Sequence, residues 1–283
     1  MDIGIGLPIS APERLTDWAR AAEAHGFATL ALLDRLAYDN PEPLAALAVL
    51  AGATRRIRLQ TEVLLGPLRS TALLAKQAAT LDRMAGGRFV LGLGIGGRDD
   101  DHAAAGTPTG GRGRALDEQI VALRRIWGGG AYRGTNIGPR PLTPTGPAVL
   151  LGGFAPAALR RVARHGDGFI CAAPPQWAGG LLDTVRQEWD AAGRSGRPRL
   201  VCQVNVAAGP AATVERARRA VADYYAFTGR PGWGAPLSDP EQIAGAIEAY
   251  RALGADEVVL YCYADDPAQL DTLARIRSIA LAK

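Results

Sequence analysis

An alternation of short apolar runs with longer amphipathic runs, repeated eight times, constrains the fold of this chain more than any other feature. The apolar runs have the length and residue types of strands, and the amphipathic runs have the periodicity of helices. Eight such units with mostly short connections favour a closed barrel of parallel strands. The predicted strands span 2–7, 27–33, 56–65, 88–95, 148–153, 167–172, 199–206 and 256–263, and the predicted helices span 11–25, 41–53, 70–84, 114–127, 155–164, 176–192, 210–226 and 266–281.

The length of the chain agrees with such a barrel. A (β/α)8 TIM barrel needs about 250 residues in one unit, and this chain has 283. No polar linker divides it, so we predict an α/β protein with a single domain over residues 1–283. An open doubly wound sheet is the alternative, but the first predicted strand ends at Leu7 and Pro8 rather than at a glycine-rich turn.

Two serine residues precede predicted helices with the spacing of a capping box, in which a serine and a glutamate three residues later bond each other's backbone. Ser10 has this spacing to Glu13, and Ser238 has it to Glu241. The second pair stands before an additional helix that is not part of the eightfold alternation. We therefore predict a helix start at each serine.

The stretch GGRFVLGLGIGGRDDD, residues 86–101, contains a G-x-G-x-x-G pattern formed by Gly92, Gly94 and Gly97. A dinucleotide-binding turn requires a helix that begins at the third glycine. Here an arginine and three aspartates follow, and then a loop rich in glycine, proline and threonine. We therefore interpret the stretch as the fourth barrel strand and its loop, where glycines allow a ligand to lie against the backbone.

Polar side chains alternate with apolar ones along several predicted strands, whereas a purely structural parallel strand is apolar on both faces. Arg58, Gln60 and Glu62 share one side of the third predicted strand. Because helices cover the outside of a barrel, these side chains should point into its lumen. We predict a buried polar network in which Arg58 pairs with Glu62 or Glu257, since an unpaired buried charge is strongly destabilising.

Several function classes are disfavoured. Cys171, Cys202 and Cys262 lie far apart in apolar runs, which predicts buried thiols, and the three histidines have no metal-binding spacing, so we predict no metal site. Lys76 and Lys283 lie outside the strands, which argues against a Schiff-base aldolase. Dispersed arginines give a net charge of +4 without a nucleic-acid-binding signature. With no leader peptide or membrane-spanning run, we expect a cytoplasmic protein that binds no nucleic acid or membrane.

Barrel enzymes place their active sites at the C-terminal ends of the strands. In this chain those positions are rich in glycine and other small residues, which suggests that a planar ligand or a phosphate approaches the backbone. The segment LLGGFAPAALRRVA, residues 150–163, combines a strand, a glycine turn and a helix start. The free N–H groups of such a helix start can bind an anion, although an ordinary connection between strand and helix has the same pattern.

Four segments together resemble the bacterial luciferase-like superfamily of flavin- and deazaflavin-dependent oxidoreductases. The resemblance covers residues 1–175 and continues more weakly to the C-terminus. Each segment alone is unspecific, but their order is specific, and the superfamily has the barrel fold predicted above. The segments are GFATLALLDR, NPEPLAALAVLAGATRRIRLQTEVLLGPLRSTALLAKQAATLDRMAGGRFVLGLGIGG, DEQIVALRRIW and GGFAPAALRRVARHGDGFI.

The resemblance implies that a flavin or deazaflavin ring lies across the C-terminal mouth of the barrel. It also implies a cis peptide bond between Glu62 and Val63 behind the ring. The catalytic candidates are Asp34 and Glu62, at positions that match the superfamily, and Arg35, a polar residue next to Asp34. The residues that we expect to bind the cofactor, at matching positions or beside them, are Asp34, Glu62, Val63, Ile95, Gly96, Gly97, Arg98, Asp100, Gly153, Phe154 and Ala155.

Arg98 is the residue that we expect to pair with a cofactor phosphate, because an arginine can bind a phosphate through two parallel hydrogen bonds. The alternative is that Arg98 only forms salt bridges with the aspartates that follow it. With Arg35 and Asp100, Arg98 completes the polar side chains that we expect near the cofactor.

The chain departs from the sugar-phosphate dehydrogenases of this superfamily. Relatives of that kind carry a histidine and a glutamate where this chain has Arg35 and Gly97. Their phosphate-binding threonine and lysine are replaced by Ala172 and Pro175. The oxidation of a sugar phosphate is therefore disfavoured, and the resemblance gives no acid–base pair for this chain.

We accordingly predict an oxidoreductase, with a monooxygenase that uses reduced FMN and O₂ on a small organic substrate favoured over an F420-dependent reductase or dehydrogenase. A non-catalytic flavin-binding protein is a further alternative. We expect a homodimer and a separate flavin or F420 reductase as partners. The loops 100–113, 128–147 and 227–238 should build the substrate pocket or pack on the barrel, and their Tyr132, Phe227 and Trp233 would suit an apolar or aromatic ligand.

Overall fold

Parallel strands surrounded by helices form a closed barrel in the computed structural model, which describes residues 1–7 and 11–281. All strand pairings are parallel, as the predicted alternation of strands and helices requires. The strands are β1 (Asp2–Gly6), β2 (Thr29–Leu32), β3 (Arg58–Thr61), β4 (Leu64–Leu65), β5 (Phe89–Gly94), β6 (Ala148–Gly152), β7 (Gly168–Cys171), β8 (Arg199–Val206) and β9 (Glu257–Cys262).

The third position of the barrel is occupied by two short strands instead of the single strand that was predicted. The sheet runs in the order β3-β2-β1-β9-β8-β7-β6-β5-β4, and β3 also pairs with β5, which closes the barrel. β3 and β4 are separated by Glu62 and Val63, whose peptide bond is cis. The barrel therefore has eight strand positions, and the predicted (β/α)8 architecture is confirmed.

Helices follow the strands around the outside of the barrel. Ten are present in the described part of the chain: α1 (Leu15–Ala24), α2 (Pro43–Ala53), α3 (Thr71–Met84), α4 (Asp99–Ala104), α5 (Arg112–Trp127), α6 (Pro156–His165), α7 (Pro175–Ala191), α8 (Ala211–Tyr225), α9 (Pro240–Ala252) and α10 (Gln269–Leu281). None of the helices in 1–7 and 11–281 is long and apolar enough to cross a bilayer.

Two local predictions about helices are corrected. The short helix α4 lies where a loop was expected, and its first turn consists of three aspartates, whose negative charges interact favourably with the positive end of a helix dipole. The cap of α9 is Asp239, which accepts hydrogen bonds from the N–H groups of Glu241 and Gln242, so Ser238 is not the cap. The capping box expected at Ser10 involves a residue outside the described part of the chain.

The buried polar network predicted in the barrel lumen is confirmed. Of the two partners expected for Arg58, the structure has Glu257. Arg58 binds Glu257 at 3.2 Å, and Arg199 binds the same oxygen of Glu257 at 2.7 Å. Glu62 instead accepts a hydrogen bond of 2.9 Å from the side-chain amide of Gln60. Strand register explains the choice, because Arg58 lies at the start of β3 and Glu62 lies beyond its end.

Two glycines of the G-x-G-x-x-G pattern serve packing within the barrel wall. A Cβ atom on Gly92 would lie 2.0 Å from the backbone oxygen of Thr61, and a Cβ atom on Gly94 would lie 2.7 Å from the side chain of Val63. These two glycines therefore allow β5 to approach the third strand position closely. The expectation that they make room for a ligand is wrong for this pair.

Candidate active site at the C-terminal mouth of the barrel

The C-terminal ends of the parallel strands meet at one end of the barrel, which we call the mouth. Most of the residues proposed from the sequence lie there, directly after β2, β3, β5 and β6. They fall into two groups that face different surroundings. One group is bound to neighbouring charged side chains, and the other lies beside a large cavity.

Asp34, which follows β2, is held by a buried ion pair. Its carboxylate binds the guanidinium of Arg69 at 3.0 Å and accepts a hydrogen bond of 2.9 Å from the N–H of Leu65. Burial raises the pKa of Asp34 and outweighs the lowering effect of Arg69. In this arrangement Asp34 fixes the segment after the third strand position, and its oxygens are already bound by protein donors.

Arg35 is buried between α4 and aromatic rings. Its guanidinium binds Asp101 at 2.6 Å and Asp100 at 3.0 Å. Asp101 also accepts hydrogen bonds from the N–H groups of Leu36 and Ala37. Burial alone would raise the pKa of Asp101, but these N–H groups and Arg35 outweigh burial and lower it. We call Asp34, Arg35, Arg69, Asp100 and Asp101 the ion-paired side of the mouth.

Arg98, which precedes α4, contacts α8 and the segment after it. It donates a hydrogen bond to the carbonyl oxygen of Tyr224, and its guanidinium lies 3.7 Å from the ring centroid of Phe227. In the described part of the chain, the aspartates after Arg98 bind Arg35 and Arg112, so the expected salt bridges to Arg98 are not formed.

Ile95 and Gly96 are positioned by a histidine that the sequence analysis did not assign to the site. The ring of His102 lies 3.1 Å from the carbonyl oxygen of Ile95 and 3.1 Å from the hydroxyl of Thr107. Gly96 has a φ of +75°, which favours glycine, and a Cβ atom there would lie 3.1 Å from His102. Gly97 has open space around it.

Glu62 and Val63 form the floor of the mouth between its two groups of residues. The cis peptide bond that the resemblance implied is present between them. A Cβ atom on Gly94 or Gly152 would contact the side chain of Val63, so Val63 lies beside the ends of β5 and β6. Glu62 is buried, and burial raises the pKa of its carboxyl to about 8 against the partial compensation of Gln60.

Four buried polar atoms near the mouth have no hydrogen-bond partner among the described residues. They are Nη1 of Arg35, Oε1 of Glu62, Nε of Arg69 and the hydroxyl of Tyr261. Native proteins satisfy most buried polar atoms, so such atoms at one place indicate a polar group that is supplied by a ligand or by water.

A cluster of tyrosines that the sequence analysis missed covers the part of the mouth near β9. The rings of Tyr224 and Tyr263 lie 5.6 Å apart, and Tyr224 also contacts Tyr38 at 5.4 Å and Tyr225 at 4.9 Å. We call Tyr38, Tyr224, Tyr225, Tyr261 and Tyr263 the tyrosine cluster. The adjacent tyrosines at the end of α8 were the available sequence signal, but their distance along the chain from the motif concealed their role.

The residues after β6 lie apart from the ion-paired side. Gly153 has a φ of +144°, and a Cβ atom there would lie 2.7 Å from Ala158. Phe154 packs on Trp177, with ring centroids 4.7 Å apart. Ala155 is the N-cap of α6 and has no side-chain cap, so the first N–H groups of α6 are not bound by a capping side chain.

Phe154 and Trp177 form one wall of a cavity of about 960 Å³. The cavity is bounded by the ends of β6, β7 and β8, by the first turn of α7, by one face of α9 and by the segment after α8. We call it the β8–α9 cavity. Its aromatic lining residues are Phe154, Trp177, Tyr225, Phe227, Trp233 and Tyr250.

One of the three loops expected to build a pocket does so. Phe227 and Trp233 of the loop 227–238 line the β8–α9 cavity. Tyr132 of the loop 128–147 packs against the hydrophobic core and does not line it. The loop 100–113 contains most of α4, whose Asp101 binds Arg35. Of the residues proposed for the cofactor, only Phe154 lines the cavity.

Comparisons with known proteins agree with the barrel fold. A family model described as luciferase-like monooxygenase matches residues 3–252. The chain is 32% identical over 204 residues to an F420-dependent glucose-6-phosphate dehydrogenase of Nakamurella multipartita, covering 65% of this chain and 60% of that protein.

Solved structures with the same fold include the monooxygenase RslO1 from Streptomyces bottropensis. It has a TM-score of 0.78 and 21% identity over 99% of this chain and 98% of that one. An F420-dependent secondary alcohol dehydrogenase in complex with an F420–acetone adduct has a TM-score of 0.83 and 17% identity over 97% of both chains.

Proposed function

The chain belongs to the luciferase-like monooxygenase family, and from this membership we propose that it is a monooxygenase that uses reduced FMN and O₂ on a small organic substrate. The observation that supports this most is the set of unpartnered buried atoms at the mouth, which lies beside a cavity large enough for an organic substrate. Pockets of about 300–1,000 Å³ are typical for such ligands.

The residues at the mouth fit a flavin. A flavin ring carries carbonyl oxygens and ring nitrogens along one edge, and both the Arg35 guanidinium and a protonated Glu62 can donate hydrogen bonds to such atoms. Val63 would support the face of the ring, and the N–H of Ala157 in the first turn of α6 would bind the phosphate, since Pro156 has no N–H and the N–H of Ala158 is bound to the carbonyl oxygen of Ala155. When bound, reduced FMN would supply the electrons for the reaction with O₂.

The chain's own residues would then have three tasks. Arg35 would donate a hydrogen bond from its unpartnered Nη1 to negative charge that develops at the mouth, because Asp100 and Asp101 hold its guanidinium in place. Glu62 would hold a proton at neutral pH, since its pKa is raised to about 8. The tyrosine cluster would exclude water from this part of the mouth.

An F420-dependent reductase or dehydrogenase is the second candidate. It is favoured by two similar proteins, an F420-dependent glucose-6-phosphate dehydrogenase and an F420-dependent secondary alcohol dehydrogenase. The same mouth could hold a deazaflavin ring, from which hydride transfer replaces oxygen chemistry. Ala172 and Pro175 line the cavity, and their apolar side chains do not suit the binding of a sugar phosphate.

The proposal includes a separate reductase that supplies the reduced cofactor. The G-x-G-x-x-G pattern is not a dinucleotide turn, because Gly92 and Gly94 pack within the barrel wall and a dinucleotide turn would need them next to a ligand. From the sequence we also propose a homodimer and a cytoplasmic location. A non-catalytic flavin-binding protein is the alternative to an enzyme.

The test is an anaerobic titration of the purified protein with FMN, reduced FMN and F420. We expect micromolar binding of reduced FMN, followed by O₂ consumption that depends on an added organic substrate. Micromolar binding of F420 together with no binding of either form of FMN would replace this proposal by the F420-dependent one. Bound reduced FMN that O₂ reoxidises at the rate of free reduced FMN, with no product from the added substrate, would favour the non-catalytic alternative, whereas faster turnover without substrate would argue against it.

A further inference from the structure

The middle of β8 is partly exposed, unlike the interior of any other strand in the described part of the chain. Gln203, Val204 and Asn205 are half-buried, whereas in the other strands partial exposure is confined to the first or last residue. All three residues line the β8–α9 cavity. The cavity therefore reaches the barrel wall itself.

Small residues on α9 create this space. Gly245, Ala246 and Ala249 lie on the face of α9 that lines the cavity. A Cβ atom on Gly245 would meet nothing within 4 Å. A helix that packed directly on β8 would need larger side chains at these positions to fill the gap.

The lining is aromatic and nearly uncharged. Phe154 and Trp177 form one wall, and Phe227 and Trp233 lie in the segment that forms another. Aromatic rings prefer to pack on other aromatic rings in offset or edge-to-face arrangements. Among the described residues that line the cavity, Arg230 is the one charged side chain, and it is exposed and lies over the ring of Trp233.

Two side-chain amides of the lining are available to a ligand. Gln203 is half-buried and Gln242 is exposed, and in the described part of the chain neither side chain forms a hydrogen bond within the protein, whereas Asn205 and Thr228 are bound to backbone carbonyl oxygens. Side-chain amides both donate and accept, so they suit hydroxyl and carbonyl groups. The hydroxyl of Tyr250 is bound to the carbonyl oxygens of Ala173 and Gln203, and its side chain is fully buried, so Tyr250 closes the cavity wall and leaves the amides as hydrogen-bonding groups for a ligand.

We infer that the β8–α9 cavity binds a neutral aromatic compound of two or three fused rings that carries hydroxyl or carbonyl groups, and that this compound class is the substrate. The inference rests on the proposed function, because the cofactor would lie on the floor at Val63 and meet the cavity at Phe154. A phosphorylated sugar would place a dianion against aromatic side chains with one exposed arginine, which is strongly unfavourable.

Equilibrium dialysis with 1,8-dihydroxyanthraquinone as the probe tests this class. Decanal and glucose 6-phosphate serve as aliphatic and phosphorylated competitors. We expect the anthraquinone to bind with a dissociation constant of about 10 µM or lower, and neither competitor to displace it at about tenfold excess. Binding of decanal or glucose 6-phosphate that equals or exceeds that of the anthraquinone would overturn the assigned class.

Gly245→Trp places a large side chain in the cavity from α9. We expect it to weaken anthraquinone binding by about tenfold or more. Gly52→Trp is the matched control, because Gly52 is also an exposed helical glycine with open space around it and lies on α2, away from the cavity. Ala249→Leu is a second filling variant in case Gly245→Trp does not fold.

Cofactor binding separates this inference from the proposed function. Reduced FMN should bind Gly245→Trp as it binds the unmodified protein. Loss of FMN binding in this folded variant would assign the cavity to the cofactor and overturn the substrate inference alone. If the unmodified protein binds neither FMN nor F420, the proposed function fails and the substrate role fails with it. Equal weakening of anthraquinone binding by Gly52→Trp would also overturn the inference.

Discussion

The two sides of the barrel mouth use their side chains differently. On the ion-paired side, Asp34 and Arg35 are buried and bind Arg69, Asp100 and Asp101, so most of their charge is compensated within the protein. The β8–α9 cavity has one charged side chain, that of Arg230, among the lining residues that the structure describes, and the rest of the lining is largely aromatic and small side chains. Charged residues at a mouth can therefore be part of the scaffold, while the ligand space is lined by uncharged ones.

Asp34→Ala is the variant with the largest expected effect on this comparison. It removes the buried partner of Arg69 and the acceptor of the Leu65 N–H, which should lower the free energy of unfolding by about 3 kcal/mol. Urea denaturation measures the change without any ligand.

Glu42→Gln is the control for Asp34→Ala. Glu42 binds the same arginine at 2.7 Å, but its side chain is 44% exposed. Exposed ion pairs contribute little, so the control should stay within about 0.5 kcal/mol of the unmodified protein. If both variants lowered the free energy of unfolding equally, burial of the Asp34–Arg69 pair would add nothing to stability, and the ion-paired side would not act as a scaffold.

Glu62, at the boundary of the two sides, should make stability depend on pH. Its folded pKa of about 8 lies above the ordinary value of 4.5, so the folded state holds a proton that the unfolded state has released between these values. The free energy of unfolding should then fall as pH rises through this window and level off above it.

Glu62→Gln should remove this pH dependence. Between pH 6 and pH 8 the difference between the unmodified protein and the variant should change by about 2 kcal/mol, since one pKa unit corresponds to about 1.4 kcal/mol. Parallel pH profiles of the two proteins would mean that Glu62 titrates normally and is not a proton donor at the mouth.

Arg98→Met tests the contact between the ion-paired side and the segment that borders the cavity. Arg98 donates to the carbonyl of Tyr224 and stacks on Phe227. Methionine keeps the apolar stem, so only the hydrogen bond and the cation–π contact are lost, at about 1 kcal/mol in thermal unfolding. The control is Arg218→Met on α8, the helix that Arg98 contacts. Arg218 forms only an exposed hydrogen bond of 3.4 Å to Ser238, so this variant should not change the stability measurably.

Trp177→Ala should have the smallest effect on stability, and it separates the role of the cavity wall in ligand binding from the role of the ion-paired side in stability. Trp177 is 42% exposed and packs on Phe154, which is 43% exposed. Its removal should change the free energy of unfolding by less than about 1 kcal/mol, while anthraquinone binding weakens by about tenfold. A decrease in the free energy of unfolding as large as that of Asp34→Ala would show that this wall stabilises the fold as the ion-paired side does.

The sequence predicted the barrel well because periodicity reports burial on one face of each element. The pairing of Arg58 with Glu257 was among the expected alternatives for the same reason, since both side chains point into the lumen. The cis bond at Glu62 was implied by the resemblance, and no local pattern indicates such a bond.

Features that depend on tertiary packing were not predictable. Helix α4 has six residues, fewer than two turns, which is too short for a periodic signal. The roles of Gly92 and Gly94 depend on how closely β5 approaches Thr61 and Val63. The β8–α9 cavity results from the placement of α9, whose small residues are also compatible with tight packing.

A crystal structure of the protein with FMN bound tests whether the cofactor lies on the floor of the mouth and leaves the β8–α9 cavity to the substrate. We expect the flavin ring within about 4 Å of Val63, Ile95 and Gly153, with the phosphate at the start of α6 and the cavity free. A flavin ring inside that cavity, stacked on Trp233 and away from Val63, would show that the cavity belongs to the cofactor.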